Sequence, residues 1–99
     1  MENKIYGLLG LSAKAGKLSF GTEAVLEKIA KNKIKLIIIA KDMSERNKEK
    51  IVKIAEKEKI PYYIFGTIFE NSKAIGKVNK AIIGVEDRNF AEAIKSKLK

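Results

Sequence analysis

The residues best suited to chemistry lie in a short segment bounded by two glycines. It reads Ala-Gly-Lys-Leu-Ser-Phe-Gly-Thr-Glu over residues 15–23, and Thr22 is placed to cap a helix that follows. Glycine lets the backbone at Gly16 and Gly21 approach a ligand closely. The helix start at Thr22 and Glu23 offers N–H groups to phosphates or base edges. The flanking cations, which can neutralise phosphates, are Lys14, Lys17, Lys28 and Lys31. The same pattern suits a plain connector between two helices, and residue types alone do not separate the two interpretations.

The stretch over residues 10–17 resembles a nucleotide-binding P-loop only superficially. Leu11 stands where that motif requires its first glycine, and Leu18 follows the lysine where Ser or Thr is needed to reach Mg²⁺. No strand pattern precedes the segment. Nucleotide hydrolysis is therefore not predicted here.

Acidic pairs in the chain have a structural explanation. Asp42 with Glu45, and Glu86 with Asp87, stand where helices are predicted to start, and carboxylates there accept hydrogen bonds from free backbone N–H groups. Histidine and cysteine are absent, which removes the commonest general base, the thiolate nucleophile and the main transition-metal ligands. We expect no enzyme activity, no metal, no cofactor and no small-molecule substrate.

A second candidate contact is the segment Gly66-Thr67-Ile68-Phe69. Apolar side chains at a strand–helix junction are unusual, and Ile68 and Phe69 are candidates to wedge against an extruded or stacked base. The alternative is that Ile68 and Phe69 are core residues in the first turn of a short helix. We predict that role for Phe69 and leave Ile68 open.

The charge and composition of the chain favour a folded, polyanion-binding domain. The chain has 99 residues with 45% apolar and 33% charged, and its net charge of +9 is spread along the chain. Such a field attracts nucleic acid by counterion release, although lysine also serves for solubility alone. The longest apolar run, residues 36–40, is too short to span a membrane. Residues 5–11 are predicted to be a structural helix rather than a signal peptide. We expect one domain over residues 1–99 and a cytoplasmic location.

The elements that must position these residues alternate between helix and strand. Strands are predicted at residues 35–40, 62–65 and 81–85, and the stretch between Gly16 and Gly21 is predicted to be a connector. Capping boxes at Asp42 and Thr67, and a cap at Asp87, open the helices that follow. Helical crossovers join parallel neighbours, so the pattern predicts an α/β fold, a three-layer α/β/α sandwich around a small mixed sheet of three or four strands.

This series of elements resembles the ribosomal protein L7Ae/L30e superfamily of kink-turn RNA-binding proteins. The likeness is carried by Gly-Thr-Glu-Ala-Val-Leu-Glu-Lys-Ile at residues 21–29, which leads into Lys-Leu-Ile-Ile-Ile-Ala-Lys-Asp at residues 35–42. Ile-Pro-Tyr-Tyr at residues 60–63 and Gly76 follow at the expected distances. Leu-Leu-Gly-Leu at residues 8–11 and Ala-Gly-Lys-Leu at residues 15–18 are most similar to the bacterial YlxQ-like group. The resemblance covers roughly residues 5–95.

The resemblance implies the sandwich fold, no catalytic activity and RNA as the partner. In the family, Asn, Glu and Lys at the start of the second helix face the tandem sheared G·A pairs of the kink-turn. Here those positions hold Glu23, Ala24 and Glu27. We therefore expect backbone donors at Gly21 and Thr22, the Thr22 hydroxyl and the Glu23 carboxylate to contact bases while the flanking lysines neutralise phosphates.

Two functional hypotheses follow. The first is a cytoplasmic protein that binds structured or ribosomal RNA in a ribonucleoprotein. One lip of its site would be formed by Gly16, Lys17, Gly21, Thr22 and Glu23, and the other by Thr67 and Ile68. The second is a protein-interaction module on the same scaffold, with lysines that serve only solubility.

Overall fold

Helices and strands alternate along the chain as the sequence predicts. The structure is a computed structural model that describes residues 3–98, and these contain five helices and four strands. In order they are α1 (Asn3–Lys14), β1 (Leu18–Phe20), α2 (Thr22–Ala30), β2 (Leu36–Ile39), α3 (Glu45–Glu58), β3 (Tyr62–Ile64), α4 (Ile68–Ala74), β4 (Ile82–Val85) and α5 (Arg88–Leu98). The prediction that the residues between Gly16 and Gly21 form a plain connector is wrong, because they contain β1. Three residues are too few to show an alternating pattern.

The four strands form one mixed sheet in the order β1-β4-β2-β3. Strands β2 and β3 are parallel, as the crossover through α3 predicts, but β4 is antiparallel to both of its neighbours. The predicted mixed sheet is thus confirmed, although the rule that helical crossovers join parallel neighbours does not hold for β4. The reason is that α4 crosses one end of the sheet and returns the chain to β4 at the end where β2 finishes, so the Ala40 N–H donates to the Ala81 carbonyl at 2.9 Å.

Helices cover both faces of the sheet, which confirms the three-layer sandwich. On one face, Leu9 of α1 and Ile94 of α5 pack against Leu36 and Ile38, in a cluster that also contains Ile75 after α4. On the other face, α2 and α3 pack against Ile37 and Ile39 in a second cluster that contains Val25 and Ile51. Successive side chains of β2 thus point to opposite faces, which is why this strand is apolar throughout.

Two of the predicted helix caps differ from the structure. Gly21, not Thr22, is the N-cap residue of α2, and Thr22 is the first helical residue. Ser44, not Asp42, caps α3, and its hydroxyl accepts from the Asn47 N–H at 3.4 Å. The Asp42 carboxylate instead accepts from the backbone N–H of Ile68 at 2.8 Å, a contact that depends on tertiary structure.

The other two predicted caps are confirmed. Thr67 caps α4, and its hydroxyl oxygen accepts from the Glu70 N–H at 3.1 Å. Asp87 caps α5 by accepting from the Phe90 N–H at 2.9 Å.

The sheet has two ends that carry different residues. At the Gly21 end, β1, β2 and β3 finish and β4 begins, and the Gly21 N–H donates to the Ile82 carbonyl at 3.0 Å. At the Lys17 end, β1 and β2 begin and β4 finishes, and the Glu86 N–H donates to the Lys17 carbonyl at 2.8 Å. Some of the candidate RNA-binding residues lie at the Gly21 end of the sheet, and the others lie at the Lys17 end.

Candidate nucleic-acid interface

The start of α2 exposes backbone donors at the Gly21 end. Gly21 has φ 91° and ψ 151°, a conformation that essentially only glycine adopts, and no side chain caps the helix. The first hydrogen bond within the helix runs from the Val25 N–H to the Gly21 carbonyl. The N–H groups of Thr22, Glu23 and Ala24 come before it and therefore have no partner inside the helix. The prediction that the Gly21 N–H is free to contact a base is wrong, because this N–H donates to the Ile82 carbonyl. The free donors begin at Thr22.

A lysine-bearing loop lies directly beside this helix start. The Lys77 and Lys80 ammonium groups stand 5.0 and 5.8 Å from the ring centroid of Phe20, the residue before Gly21. Such cation–π contacts hold a charge over a ring face. Val78, between the two lysines, is 82% exposed. The loop therefore places two cations and one apolar side chain next to the free donors of α2.

Sequence reasoning missed this loop. Lys77, Val78 and Lys80 follow Gly76 in an ordinary polar stretch, and nothing in their spacing shows that they meet Phe20. The available signal was a lone valine between lysines in a turn region. Antiparallel pairing of β1 with β4 brings the loop to Phe20, and that pairing was not predicted.

Thr67 and Ile68 lie at the Gly21 end but not opposite Gly21. They follow β3, and β2 and β4 separate them from β1, a distance of three strand spacings or about 14 Å. Their polar groups are engaged: the Thr67 hydroxyl also donates to the Glu70 carboxylate at 3.3 Å, and the Ile68 N–H is bonded to Asp42. Thr67 and Ile68 therefore do not lie opposite Gly21 as predicted, and the loop that lies beside Phe20 there carries Lys77 and Lys80. Phe69 is 73% exposed, so its predicted core role is also wrong.

The remaining candidates lie at the Lys17 end. Lys14 ends α1 and precedes Gly16 and Lys17. Lys28 and Lys31 lie in the last turn of α2 and at its C-cap, about 9 and 13 Å along the helix axis from Thr22. The expectation of a single lip from Gly16 to Glu23 is therefore wrong. Strand β1 carries the chain from one end of the sheet to the other, so residues close in sequence end up apart.

Two of these lysines have carboxylate partners. Lys28 lies 3.5 Å from the Glu86 carboxylate, and Lys31 lies 3.4 Å from that of Glu27 one helical turn away. Glu27 and Lys31 are both largely exposed, so their pair contributes little to stability. Lys14 and Lys17 form no ion pair with any residue between 3 and 98. Their full charge is available to an outside anion.

Within residues 3–98, no three His, Cys, Asp or Glu side chains cluster in a way that would hold a metal ion. In the same part of the chain, no helix is both long and apolar enough to cross a membrane.

Comparisons with known proteins agree with the fold. Residues 3–90 match the sequence model of the ribosomal protein L7Ae/L30e/S12e/Gadd45 family. The chain is 32% identical over 94 residues to the RNA-binding protein YlxQ of Enterococcus faecium. The matched region covers 95% of this chain and 90% of that protein. It is 28% identical over 93 residues to the RNA-binding protein YlxQ of Bacillus subtilis strain 168, with coverages of 94% and 93%.

Two solved structures are also similar. A protein of unknown function from Bacillus halodurans C superposes with a TM-score of 0.91 at 30% identity and covers 94% of both chains. The 15.5 kD RNA binding protein of Giardia lamblia superposes with a TM-score of 0.80 at 17% identity, over 96% of this chain and 82% of that one. The second likeness concerns the fold alone.

Proposed function

This chain belongs to the ribosomal protein L7Ae/L30e/S12e/Gadd45 family, and we propose that it is a non-enzymatic, cytoplasmic RNA-binding protein. The observation that carries the proposal is the juxtaposition of free N–H donors at Thr22 and Glu23 with Lys77 and Lys80 over Phe20. RNA offers both phosphates for the lysines and base edges for the donors. The net charge of +9 and the relatives named RNA-binding proteins support the same conclusion.

The proposed contact uses the backbone more than side-chain readers. The Thr22 and Glu23 N–H groups and the Thr22 hydroxyl meet base edges, and the Glu23 carboxylate accepts from an exocyclic amine. Lys77 and Lys80 neutralise phosphates, and Val78 packs against an unstacked base. The target is structured RNA, with ribosomal RNA included, because unstacked bases occur in loops and bulges rather than in plain duplex.

The proposal is tested by titrating a kink-turn hairpin RNA and a plain RNA duplex at two salt concentrations. We expect the hairpin to bind more tightly, since its splayed bases fit the exposed donors. Lys77→Gln with Lys80→Gln should weaken hairpin binding about tenfold and reduce the slope of log K against log salt by about 2. Lys50→Gln with Lys53→Gln, on the exposed face of α3, removes the same charge and is the matched control.

Three outcomes would count against the proposal. Absence of RNA binding at low salt would overturn it. Equal affinities and equal salt slopes for hairpin and duplex would remove the shape-specific part. Equal effects of the two lysine pairs would show that the Gly21 end is not the contact surface.

A further inference from the structure

A second basic surface occupies the Lys17 end, on the opposite side of the molecule from the free donors of α2. Two exposed turns meet there: one follows α1 at Gly16, with φ 71°, and the other follows α2 at Asn32, with φ 60°. They line a shallow hollow of about 310 Å³ together with Lys17, Lys33, Lys35 and Glu86. We call Lys14, Lys17, Lys33 and Lys35 the Lys17 patch.

The backbone fixes the spacing of this patch. The Lys17 carbonyl accepts from the Glu86 N–H at 2.8 Å, and the Lys35 N–H donates to the Val85 carbonyl at 2.7 Å. Lys17 and Lys35 therefore flank the end of β4, two strand spacings or about 10 Å apart. Because both backbones are hydrogen-bonded to the end of β4 and the residue after it, the sheet fixes the points from which the two lysine side chains extend.

Local structure does not account for these charges. A lysine in the last turn of a helix complements the helix dipole, which explains Lys14. Lys17, Lys33 and Lys35 lie beyond the helix ends, and none forms an ion pair with another residue of the described range 3–98. The acidic wall of the hollow, Glu86, is already paired with Lys28 at 3.5 Å. The patch is thus a concentration of uncompensated positive charge.

The chemistry of the patch fits phosphates better than a protein partner. Protein interfaces are built around buried aromatic and aliphatic anchors and are depleted in lysine. The exposed large apolar side chains within residues 3–98 are Leu11, Ile64, Phe69 and Val78, and none of them lines this hollow. Phosphate binding needs only cations at fixed spacing.

We propose that the Lys17 patch binds the phosphate backbone of a second RNA segment, so that one molecule bridges two segments. This inference rests on the proposed function, which supplies the first segment at the Gly21 end. Strand β1 separates Lys17 from Gly21 by four residues, or about 13 Å, which exceeds the Debye length of about 8 Å at physiological salt. The two ends face opposite ways, so they bind independently and one straight duplex does not reach both.

The test is a bridging assay with the full chain and two RNA probes. A kink-turn hairpin is immobilised, and a labelled plain RNA duplex is added with increasing protein at low salt. We expect the protein to retain the duplex on the hairpin, and excess protein to release it as both RNAs become singly occupied. Sedimentation checks that the protein stays monomeric, so that bridging does not come from two copies.

Variants assign the second contact. Lys17→Gln, Lys33→Gln and Lys35→Gln together should reduce retained duplex at least tenfold and change hairpin affinity less than threefold. Lys50→Gln, Lys53→Gln and Lys97→Gln remove the same charge from exposed positions outside the patch and should retain duplex within twofold of the parent. Circular dichroism confirms that both triple variants fold.

The outcomes separate the two proposals. Hairpin binding without duplex retention overturns the bridging inference and leaves the proposed function standing. Retention that is unchanged in the patch variant, or equally reduced in the control variant, also overturns it. Failure to bind the hairpin at all overturns the proposed function itself.

Discussion

The hydroxyl of Ser72 is bonded to both backbone groups of Lys80. Its oxygen accepts from the Lys80 N–H at 2.7 Å, and its proton is donated toward the Lys80 carbonyl at 3.3 Å. Ser72 is 2% exposed, so the contact is shielded from water. One buried side chain of α4 thus holds the loop that brings Lys77 and Val78 beside the start of α2.

Ser72→Ala should therefore loosen that loop. The substitution leaves the Lys80 backbone groups without their partner, and we expect the free energy of unfolding to fall by about 1–3 kcal/mol. Hairpin RNA affinity should fall severalfold, because the loop becomes less ordered before binding. Urea denaturation and RNA titration measure the two effects. Ser96→Ala, at an exposed hydroxyl on α5 that bonds only the Ala93 carbonyl, is the control and should change stability by less than about 0.5 kcal/mol. Equal effects of the two substitutions would contradict this role of Ser72.

Gly66→Ala should be strongly destabilising. Gly66 has φ 67°, and an added Cβ would overlap the Asn71 side-chain oxygen and lie 2.9 Å from the Tyr6 hydroxyl. Asn71 is held in place by its amide group, which donates to the Phe65 carbonyl at 2.8 Å. Backbone strain and overpacking together should cost about 2–4 kcal/mol, measured by urea denaturation.

Gly7→Ala is the matched control for that substitution. Gly7 lies in α1, is exposed, and has open space where a Cβ would stand. Alanine should raise stability there by about 0.5–1 kcal/mol, because it restricts the unfolded chain and favours helix. If both substitutions changed the free energy of unfolding in the same direction, the role assigned to the positive φ and the crowding at Gly66 would be contradicted.

Restoring the family's readers should increase kink-turn preference. The combined substitutions Glu23→Asn, Ala24→Glu and Glu27→Lys place the family's residues at the start of α2 and remove a carboxylate facing phosphates. We expect at least a tenfold rise in affinity for a kink-turn hairpin over a plain duplex, equivalent to about 1.4 kcal/mol. Glu49→Lys on α3 changes the net charge by the same amount at an exposed site and should raise both affinities equally. An unchanged ratio in the combined variant would show that α2 does not face the kink.

Tyr62 provides a pH-dependent prediction outside the RNA surface. Its hydroxyl donates to the Glu56 carboxylate at 3.1 Å, and this hydrogen bond, with burial and the nearby negative charge, raises the pKa of Tyr62 above 10.0. A folded-state pKa above the unfolded value gives stability that is present below about pH 10 and is lost as pH rises through the folded pKa. The phenolate absorbance of Tyr62, taken as the difference between the parent and Tyr62→Phe, should therefore appear above pH 10. In Glu56→Gln, the pH at which this absorbance appears should be lower. A titration unchanged by Glu56→Gln would refute the assigned cause.

The sequence by itself determined the class of fold and most of its elements. The run of isoleucines in β2 and the Thr67 and Asp87 caps are local signals, because each depends on residues within a turn or two. These signals predicted the layers correctly. They also predicted a basic, non-enzymatic protein, and the family match supports RNA binding.

Only the tertiary structure decided how the candidate surface is divided. Strand pairing depends on residues distant in sequence, so the antiparallel pairing of β1 with β4 was not visible in any local pattern. That pairing brings Lys77 and Lys80 to Phe20 and leaves Thr67 three strands away. The extended strand β1 itself separates Lys17 from Gly21. A segment that is continuous in sequence thus contributes to two opposite surfaces, because the edge strand β1 carries the chain from one end of the sheet to the other.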